Sequence, residues 1–405
     1  MSNKPKLSFD KSNNNWNLCN FLETCIVVGG ATYKSDDVVN KPNDNTYTIL
    51  RSNNIKNGFL NLDDLVFIKN DRKYKKEFIQ KGDILVCSNN GSKKLIGKNC
   101  LIENEMPNTL FGGFMMVFRN SQPLIRYFIQ TKIFKRLISN SIGQINSITK
   151  NSLKNINLYL PSLQEQKQIA HFLETIDNTI LTLQDQLKQT EQLKKYYLDK
   201  LFPKNNKDIP ELRFKEFNKR ERWTLVPLST IGEIKTGKTP STKNELFWNG
   251  SIPFVTPTDI GDNIYSIHTE RNVTIEGSQK STLVPKNSIL CTCIASIGKN
   301  CIVPINSCFN QQINSISVNN QYDYLFVYYA LSQNVDKLIS TASQGTILIL
   351  PKSKFLNIEI LVTKLNEQLK ISNFLKQIDN LKSTINTQLN NLNQVKQYYL
   401  KNMFV

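Results

Sequence analysis

One segment of this chain occurs twice. Residues 156–202 align without a gap on residues 358–404, at a constant offset of 202. The order is therefore a first head (1–155), a first arm (156–203), a linker with a second head (204–357) and a second arm (358–405). This order predicts a pseudo-twofold internal repeat. The positions identical in both arms, numbered in the first, include Leu163, Glu165, Gln166, Ile169, Phe172, Leu173, Ile176, Asp177, Asn178, Gln186, Leu187, Gln192, Lys194, Tyr196, Tyr197 and Leu198.

Each arm has the pattern of a long helix. Ser162 and Glu165 form a capping-box signal at the start, and Pro203 ends the first helix. The apolar seam steps alternately by four and three, the 3.5-residue period of a left-handed coiled coil. In the second arm Lys382 takes the place of Ile180, which fits a residue that fixes register better than the alternative of an ordinary surface site. The seam of the first arm consists of Ile169, Leu173, Ile176, Ile180, Leu183 and Leu187.

Both heads have the pattern of mixed α/β domains. Each opens on a tryptophan, Trp16 or Trp223, and continues in short β-rich runs separated by turn residues. We therefore predict an α+β fold, with two α/β globular domains separated by a pair of long antiparallel coiled-coil helices. The alternative is that each arm pairs with an arm of another chain.

The net charge and its distribution narrow the set of possible functions. The net charge is +18; the arms hold +2 of it and the heads and linkers +16. Basic heads predict a polyanionic partner, most simply nucleic acid, although a generally basic proteome would give the same bias.

No apolar run is long enough to span a bilayer and the first residues do not form a signal peptide, so we expect a cytoplasmic protein. The eight cysteines are expected to be free thiols.

The loops of both heads are rich in groups that contact phosphates or read base edges. For any single residue, an ordinary solvated surface position is the better interpretation, so only the clustering carries the prediction. The candidates in the first head are Lys34, Ser35, Arg51, Ser52, Asn53, Asn54, Lys56, Asn89, Asn90, Ser92, Lys93 and Lys94. The candidates in the second head are Lys235, Lys238, Thr239, Ser241, Lys243, Lys299, Asn310, Gln311 and Gln312.

Two patterns suggest other chemistry. The segment from Gly232 to Thr239 matches the phosphate-binding pattern G-x-x-x-x-G-K-[ST], but no amphipathic helix pattern follows it, so an NTPase remains only an alternative. The cysteines at 291, 293, 301 and 308 lack the spacing of zinc knuckles and are better explained as buried strand residues. Histidine occurs only twice, and no catalytic arrangement or metal site is predicted.

The arm residues 160–170 (LPSLQEQKQIA), with Phe172, Leu173, Ile176 and Asp177, resemble the central region of specificity subunits of type I restriction–modification systems. Residues 236–241 resemble the opening of that family's target recognition domains, and Gly345 with Pro351 and Lys352 resembles the exit from one. The second arm departs from the family pattern, because residues 361–364 read Leu-Val-Thr-Lys where a proline is common.

The resemblance implies a non-catalytic DNA specificity subunit of a hetero-oligomeric restriction system. Each recognition domain would read one half of a bipartite double-stranded DNA target, and the coiled coil would set the spacing. Two modification (methyltransferase) subunits would dock on the helices, and two restriction/translocase subunits are a further partner that the sequence leaves open. No cofactor is expected in this chain; S-adenosylmethionine, ATP and Mg²⁺ would belong to the partner subunits. The predicted docking residues are Gln164, Gln168, Tyr196, Tyr197, Tyr398 and Tyr399; seam packing is the alternative for the tyrosines.

The rival functions are an NTPase and a coiled-coil scaffold that binds nucleic acid without sequence preference. Nucleotide binding would identify the first, and competition between duplexes of different sequence would identify the second.

Overall fold

The computed structural model describes residues 5–7, 16–70, 77–142, 147–204, 207–217, 219–261, 263–265, 268–343 and 347–404. These residues form two compact units: residues 1–182 with 389–405 (unit 1) and residues 183–388 (unit 2). Each unit holds one head and one part of each arm. Gly345, predicted at the exit from the second recognition domain, lies outside the described residues.

The head of unit 1 is built on two four-stranded sheets, in the orders β10-β4-β7-β3 and β2-β11-β8-β9. A separate pair, β1 with β12, joins the two ends of the head in antiparallel fashion. The strands are β1 (Asn17–Asn20), β2 (Ile26–Gly29), β3 (Val38–Val39), β4 (Thr46–Leu50), β5 (Ile55–Lys56), β6 (Phe59–Leu60), β7 (Val66–Lys69), β8 (Ile84–Cys87), β9 (Asn99–Leu101), β10 (Thr109–Phe111), β11 (Met115–Arg119) and β12 (Asn157–Leu160). The helices are α1 (Ile125–Phe128), α2 (Lys132–Ile142), α3 (Lys150–Lys154) and α4 (Leu163–Leu201).

The core of this head explains its apolar runs. Every residue of β8 is buried, so the strand reads as continuous apolar sequence rather than alternating. Phe21 packs edge-on against Phe118 at 5.1 Å between ring centroids, and Phe128 packs against Phe134 at 5.7 Å. These aromatic contacts join the second sheet to the short helices beside it.

The head of unit 2 repeats this construction with sheets β14-β21-β18-β19 and β16-β15-β20-β17 and the closing pair β13 with β22. The strands are β13 (Thr224–Pro227), β14 (Gly232–Thr236), β15 (Trp248–Val255), β16 (Arg271–Val273), β17 (Thr282–Val284), β18 (Ile289–Thr292), β19 (Asn300–Ile302), β20 (Ser307–Phe309), β21 (Ile313–Val318) and β22 (Glu359–Val362). The helices are α5 (Leu228–Ile231), α6 (Ile275–Lys280), α7 (Tyr324–Gln333), α8 (Val335–Thr341), α9 (Lys352–Phe355) and α10 (Leu365–Asn402).

The predicted arm helices are confirmed as α4 and α10, which run antiparallel within each unit. In unit 1, Phe172 meets Tyr399 at 4.7 Å between centroids; in unit 2, Phe374 meets Tyr197 at the same distance. The α+β fold class is therefore confirmed. Lys382, predicted to fix register, has its ammonium nitrogen 2.9 Å from a carboxylate oxygen of Glu191 in unit 2.

The two arm helices begin differently. The amide of Glu165 donates to the Ser162 hydroxyl at 3.3 Å, as the capping signal predicts. In the second arm Lys364 stands in the place of Ser162, and the amide of Glu367 donates to the Lys364 carbonyl at 3.0 Å instead. Arg213 donates two hydrogen bonds to the carboxylate of Glu367, at 2.7 and 2.6 Å, and both side chains are buried. The linker is thus anchored to the first turn of α10.

Among the described residues, no helix combines the length and apolar character that a bilayer span requires.

Candidate nucleic-acid interface

The head of unit 1 contains an open cleft of about 420 Å³ at one end of its sheets. The cleft collects loop segments that are far apart in sequence, because β4 and β10 run parallel and end side by side. The amide of Gly112 donates to the carbonyl of Leu50 at 2.9 Å and fixes this junction. The lining residues are Ala31, Thr32, Tyr33, Arg51, Ser52, Asn53, Asn89, Asn90, Gly112, Gly113, Phe114 and Met115.

A tight turn after β4 presents two candidate side chains. The amide of Arg51 donates to the side-chain oxygen of Asn54 at 2.8 Å, and the Asn54 amide group donates to the carbonyls of Asn61 and Asp64 at 3.0 and 2.9 Å. Asn54 is fully buried. An amide committed to the turn in this way cannot reach a base, so the prediction of Asn54 as a DNA contact is corrected: it shapes the loop.

Asp64 holds the two side chains that this turn carries. Its Oδ2 accepts from Arg51 Nη2 at 3.1 Å and from Asn53 Nδ2 at 3.0 Å. The Arg51 side chain remains 36% exposed and Asn53 is exposed. The result is a partly ordered pair of hydrogen-bonding groups at the rim of the cleft.

Phe114, which is 69% exposed, also lines the cleft. Its carbonyl accepts from the amides of Ser88 and Asn89 at 3.0 and 3.1 Å, which brings the loop after β8 beside it. Asn90 then reaches the Ser52 hydroxyl, with 3.4 Å between donor and acceptor. The structure therefore brings the predicted clusters 51–53 and 89–90 together.

The other candidates of the first head do not line the cleft. Lys34, Ser35, Ser92 and Lys94 are exposed. Lys56 lies 3.5 Å from Asp63 in an exposed ion pair. The side chain of Lys93 lies outside the described set.

The head of unit 2 has the same backbone frame at this place. The amide of Thr256 donates to Asp259 Oδ2 at 2.7 Å, and this bond corresponds to the one from the Arg51 amide to Asn54. The amide of Asn310 donates to the carbonyl of Val255 at 3.1 Å, and this bond corresponds to the one from Gly112 to Leu50. Two glycines mark the same close approach: a Cβ on Gly30 would lie 2.0 Å from the Gly112 oxygen, and one on Gly237 would lie 2.0 Å from the Asn310 oxygen. The positions of Arg51 and Asn53 are thus occupied by Thr256 and Thr258.

Different side chains occupy this frame in unit 2. The Thr239 hydroxyl donates to Gln311 Oε1 at 2.7 Å, and Asn310 Nδ2 donates to Gln312 Oε1 at 3.1 Å. These predicted residues therefore lie together, and Lys238, next to Thr239, is exposed.

The remaining candidates of unit 2 lie on β14 or in loops. Lys235 pairs with Glu233 at 3.0 Å on β14, and the Ser241 carbonyl accepts from the Trp248 indole at 3.0 Å. Ser241, Lys243 and Lys299 are exposed.

Sequence reasoning missed several residues at these sites. Tyr33 and Phe114 are aromatic, and Thr256 and Thr258 are uncharged, so a search for basic and amide side chains passes over them. Arg271 is a cation that was also not predicted: its guanidinium lies 3.6 Å from the centroid of the ring of Trp248, which is buried. The signal that could have found the threonines is the internal repeat, by alignment of the 256–259 turn with 51–54.

The phosphate-loop interpretation is not supported. Residues Gly232–Thr236 form β14, paired with β21, and no helix follows directly, so the helix N-terminus that receives phosphates is missing among the described residues. The described residues contain no group of three or more His, Cys, Asp and Glu side chains that could hold a metal ion, so nothing in them favours a zinc site at these cysteines.

The predicted docking residues on the arms separate into two classes. Gln164 and Gln168 are exposed, and Tyr196 and Tyr398 are 52% and 57% exposed. Tyr197 and Tyr399 instead pack edge-on against the phenylalanines of the facing arm segment. The tyrosine pairs therefore divide between a free surface and helix packing.

Comparison with known proteins gives a consistent result. Residues 13–192 and 220–394 match the family described as type I restriction modification DNA specificity domain. The chain is 28% identical over 83% of its length to a Methanocaldococcus jannaschii protein provisionally described as the specificity subunit of type I restriction enzyme MjaX, covering 81% of it. It is 24% identical over 71% of its length to the specificity subunit of type I restriction enzyme HindI of Haemophilus influenzae, covering 78% of that protein.

A solved structure shares the fold. The crystal structure of a type I restriction–modification S subunit from M. genitalium matches with a TM-score of 0.65 at 17% identity, covering 99% of each chain.

Proposed function

Since the chain belongs to the type I restriction modification DNA specificity family and has the role of a DNA sequence-specificity subunit, we propose that each head reads one half of a two-part DNA target. One observation carries this proposal. The two heads share a strand frame and the amide-to-side-chain hydrogen bond of a loop turn, yet Arg51 and Asn53 in one are replaced by Thr256 and Thr258 in the other. Two readers with one scaffold and different side chains suit an asymmetric target.

The charge distribution supports duplex DNA as the ligand. The heads and linkers carry +16 of the net +18, so the electrostatic attraction to DNA phosphates acts on the parts of the chain that bear the candidate loops. The arms would set the spacing between the half-sites, since each is a continuous helix of 39 or 38 residues, about 58 Å long at ~1.5 Å per residue.

The same proposal assigns catalysis to other subunits. The chain acts as a non-catalytic adapter, and partner modification subunits bind S-adenosylmethionine and methylate the DNA. ATP and Mg²⁺ belong to restriction subunits where these are present. Two modification subunits match two repeated arms: Tyr196 and Tyr398 occupy equivalent exposed positions, one per arm, and form part of the two docking surfaces.

Co-expression with the candidate modification subunits, followed by mapping of methyladenine in host DNA, tests this function. We expect one asymmetric motif of two short constant parts separated by a fixed number of unspecified bases. A continuous motif or a symmetric one would contradict the assignment of one head to each half.

Binding competition separates the remaining rival. The purified complex is expected to prefer a duplex carrying the mapped motif over a scrambled duplex at both of two salt concentrations. Both duplexes offer the same phosphate contacts, so a preference between them must come from the base sequence. Equal competition would indicate a scaffold that binds without sequence preference.

A further inference from the structure

We propose that the first head reads its half-site with Arg51 and Asn53, which Asp64 positions, while Phe114 of the same cleft contacts an apolar base edge. The inference rests on the proposed function and goes further, because it assigns base-reading and positioning roles to individual side chains.

The geometry of the Asp64 carboxylate supports the positioning role. One oxygen, Oδ2, accepts from both Arg51 and Asn53, at 3.1 and 3.0 Å. A guanidinium has five N–H donors and an amide group has two, so each side chain has further donors beyond its bond to Asp64. A long arginine held at one end loses less conformational freedom when it binds, which favours a defined base contact over a diffuse phosphate contact.

The turn beneath these side chains is rigid. Asn54 is fully buried and bonded to three backbone groups, at Arg51, Asn61 and Asp64. Lys98 adds a hydrogen bond from its ammonium group to the Ser52 carbonyl at 3.2 Å. Arg51 and Asn53 therefore project from a fixed base, as a reading element requires.

The chemistry of the cleft predicts which bases it selects. Arginine bonds bidentately to O6 and N7 of guanine, asparagine bonds to N6 and N7 of adenine, and an aromatic side chain can contact the methyl group of thymine. We therefore expect guanine and adenine in the half-motif of the first head. The equivalent positions of the second head carry hydroxyl groups, Thr256 and Thr258, which accept either base type and are expected to contribute less discrimination.

Methyladenine mapping with single variants tests the assignment. Arg51→Gln is expected to make one guanine position of one half-motif degenerate, with roughly 5- to 150-fold lower discrimination, while the other half and the spacer stay unchanged. Asn53→Ser, an exposed substitution, is expected to do the same at an adenine position. Asp64→Asn keeps the shape but loses the charge, and is expected to relax both positions partially.

Lys56→Gln is the matched control. Lys56 is an exposed cation near the same turn but outside the cleft, so its loss is expected to weaken binding and reduce the salt dependence without changing the motif. Should Arg51→Gln abolish methylation altogether, Asn53→Ser and competition binding with duplexes mutated in one half-site decide the question.

The outcomes separate this inference from the proposed function. If the wild-type chain gives no two-part motif, the proposed function fails. If the wild-type motif is two-part and the Arg51 and Asn53 variants leave it unchanged, or alter both halves, the assignment of these residues is overturned while the function stands.

Discussion

The Lys194 ammonium on α4 lies 2.5 Å from Oδ1 of Asp379 on α10, within unit 2. In unit 1 the same relationship recurs between Lys396 and Asp177, at 2.6 Å. Both residues of the second pair are 202 positions from their counterparts. Each carboxylate also meets its own head: Asp379 accepts from the Tyr329 hydroxyl at 2.7 Å, and Asp177 lies 3.5 Å from Arg126. In each unit one carboxylate thus joins both arm segments and the head.

Removal of Asp177 is expected to destabilise unit 1 strongly. The side chains of Asp177, Lys396 and Arg126 are 3%, 10% and 7% exposed, so Asp177→Ala leaves two cations buried without their counter-charge. Loss of one partner of a buried pair costs about 3–5 kcal/mol. Denaturant unfolding of the full chain measures this. Asp208→Ala is the control, because Asp208 pairs with the exposed Arg222 and its loss is expected to cost under about 1 kcal/mol. Equal effects would show that the buried group is not a joint.

The tyrosines on the arms are expected to divide by function. Tyr197→Ala removes an edge-on contact with Phe374 and is expected to lower the free energy of unfolding by about 2 kcal/mol. Tyr196→Ala, at an exposed position, is expected to leave unfolding within about 0.5 kcal/mol of wild type but to weaken binding of the modification subunit. Denaturation and pull-down of the complex measure the two effects. A Tyr196 variant that binds the modification subunit normally would remove this residue from the docking surface.

Acidic pH is expected to weaken the ion pairs that hold the linker against the arms. Hydrogen bonds from Lys200, Lys370 and Lys364 lower the pKa of Glu211, Glu216 and Glu221 respectively. A carboxyl group with a lowered folded pKa stabilises the fold above its unfolded value, about 4.3, and this contribution is lost as pH falls through the folded pKa. These exposed pairs are individually weak, so the expected change is local.

Pepsin, which is active in acid, measures this change as cleavage within residues 207–217. The wild-type chain is expected to be cleaved more slowly than the triple Glu→Gln variant near pH 5, and the difference is expected to shrink as the pH falls below the unfolded value of about 4.3. A difference that does not depend on pH would contradict the proposed cause.

Much of the fold could be predicted from the sequence because the same local patterns occur in both halves of the chain. The seam, the Ser162 cap and the strand-rich heads follow from local patterns. The Lys194–Asp379 pair could not be predicted, although both residues belong to the positions identical in the two arms. An antiparallel register is needed to bring residues 185 positions apart together, and periodicity does not give that register.

The candidate site was predictable only in part. Clusters 51–54 and 89–94 were identified as separate loops, but only the parallel pairing of β4 with β10 shows that Arg51–Asn53 and Asn89–Asn90 share a cleft. The burial of Asn54 depends on carbonyls seven and ten residues away and could not be inferred from its polar side chain. Thr256 and Thr258 carry no charge signal and become visible only through the repeated turn.

The proposal that the two heads read the two halves of one DNA target is tested most directly by a variant whose arms are longer while both units keep their sequence. One heptad with the four-and-three apolar spacing is inserted after Thr182 in α4 and another after Gln388 in α10, where the two units divide. Seven helical residues add about 10.5 Å, or roughly three base pairs at ~3.4 Å each. Methyladenine mapping is expected to give both half-motifs unchanged with a spacer about three bases longer; an unchanged spacer, or altered half-motifs, would contradict the account.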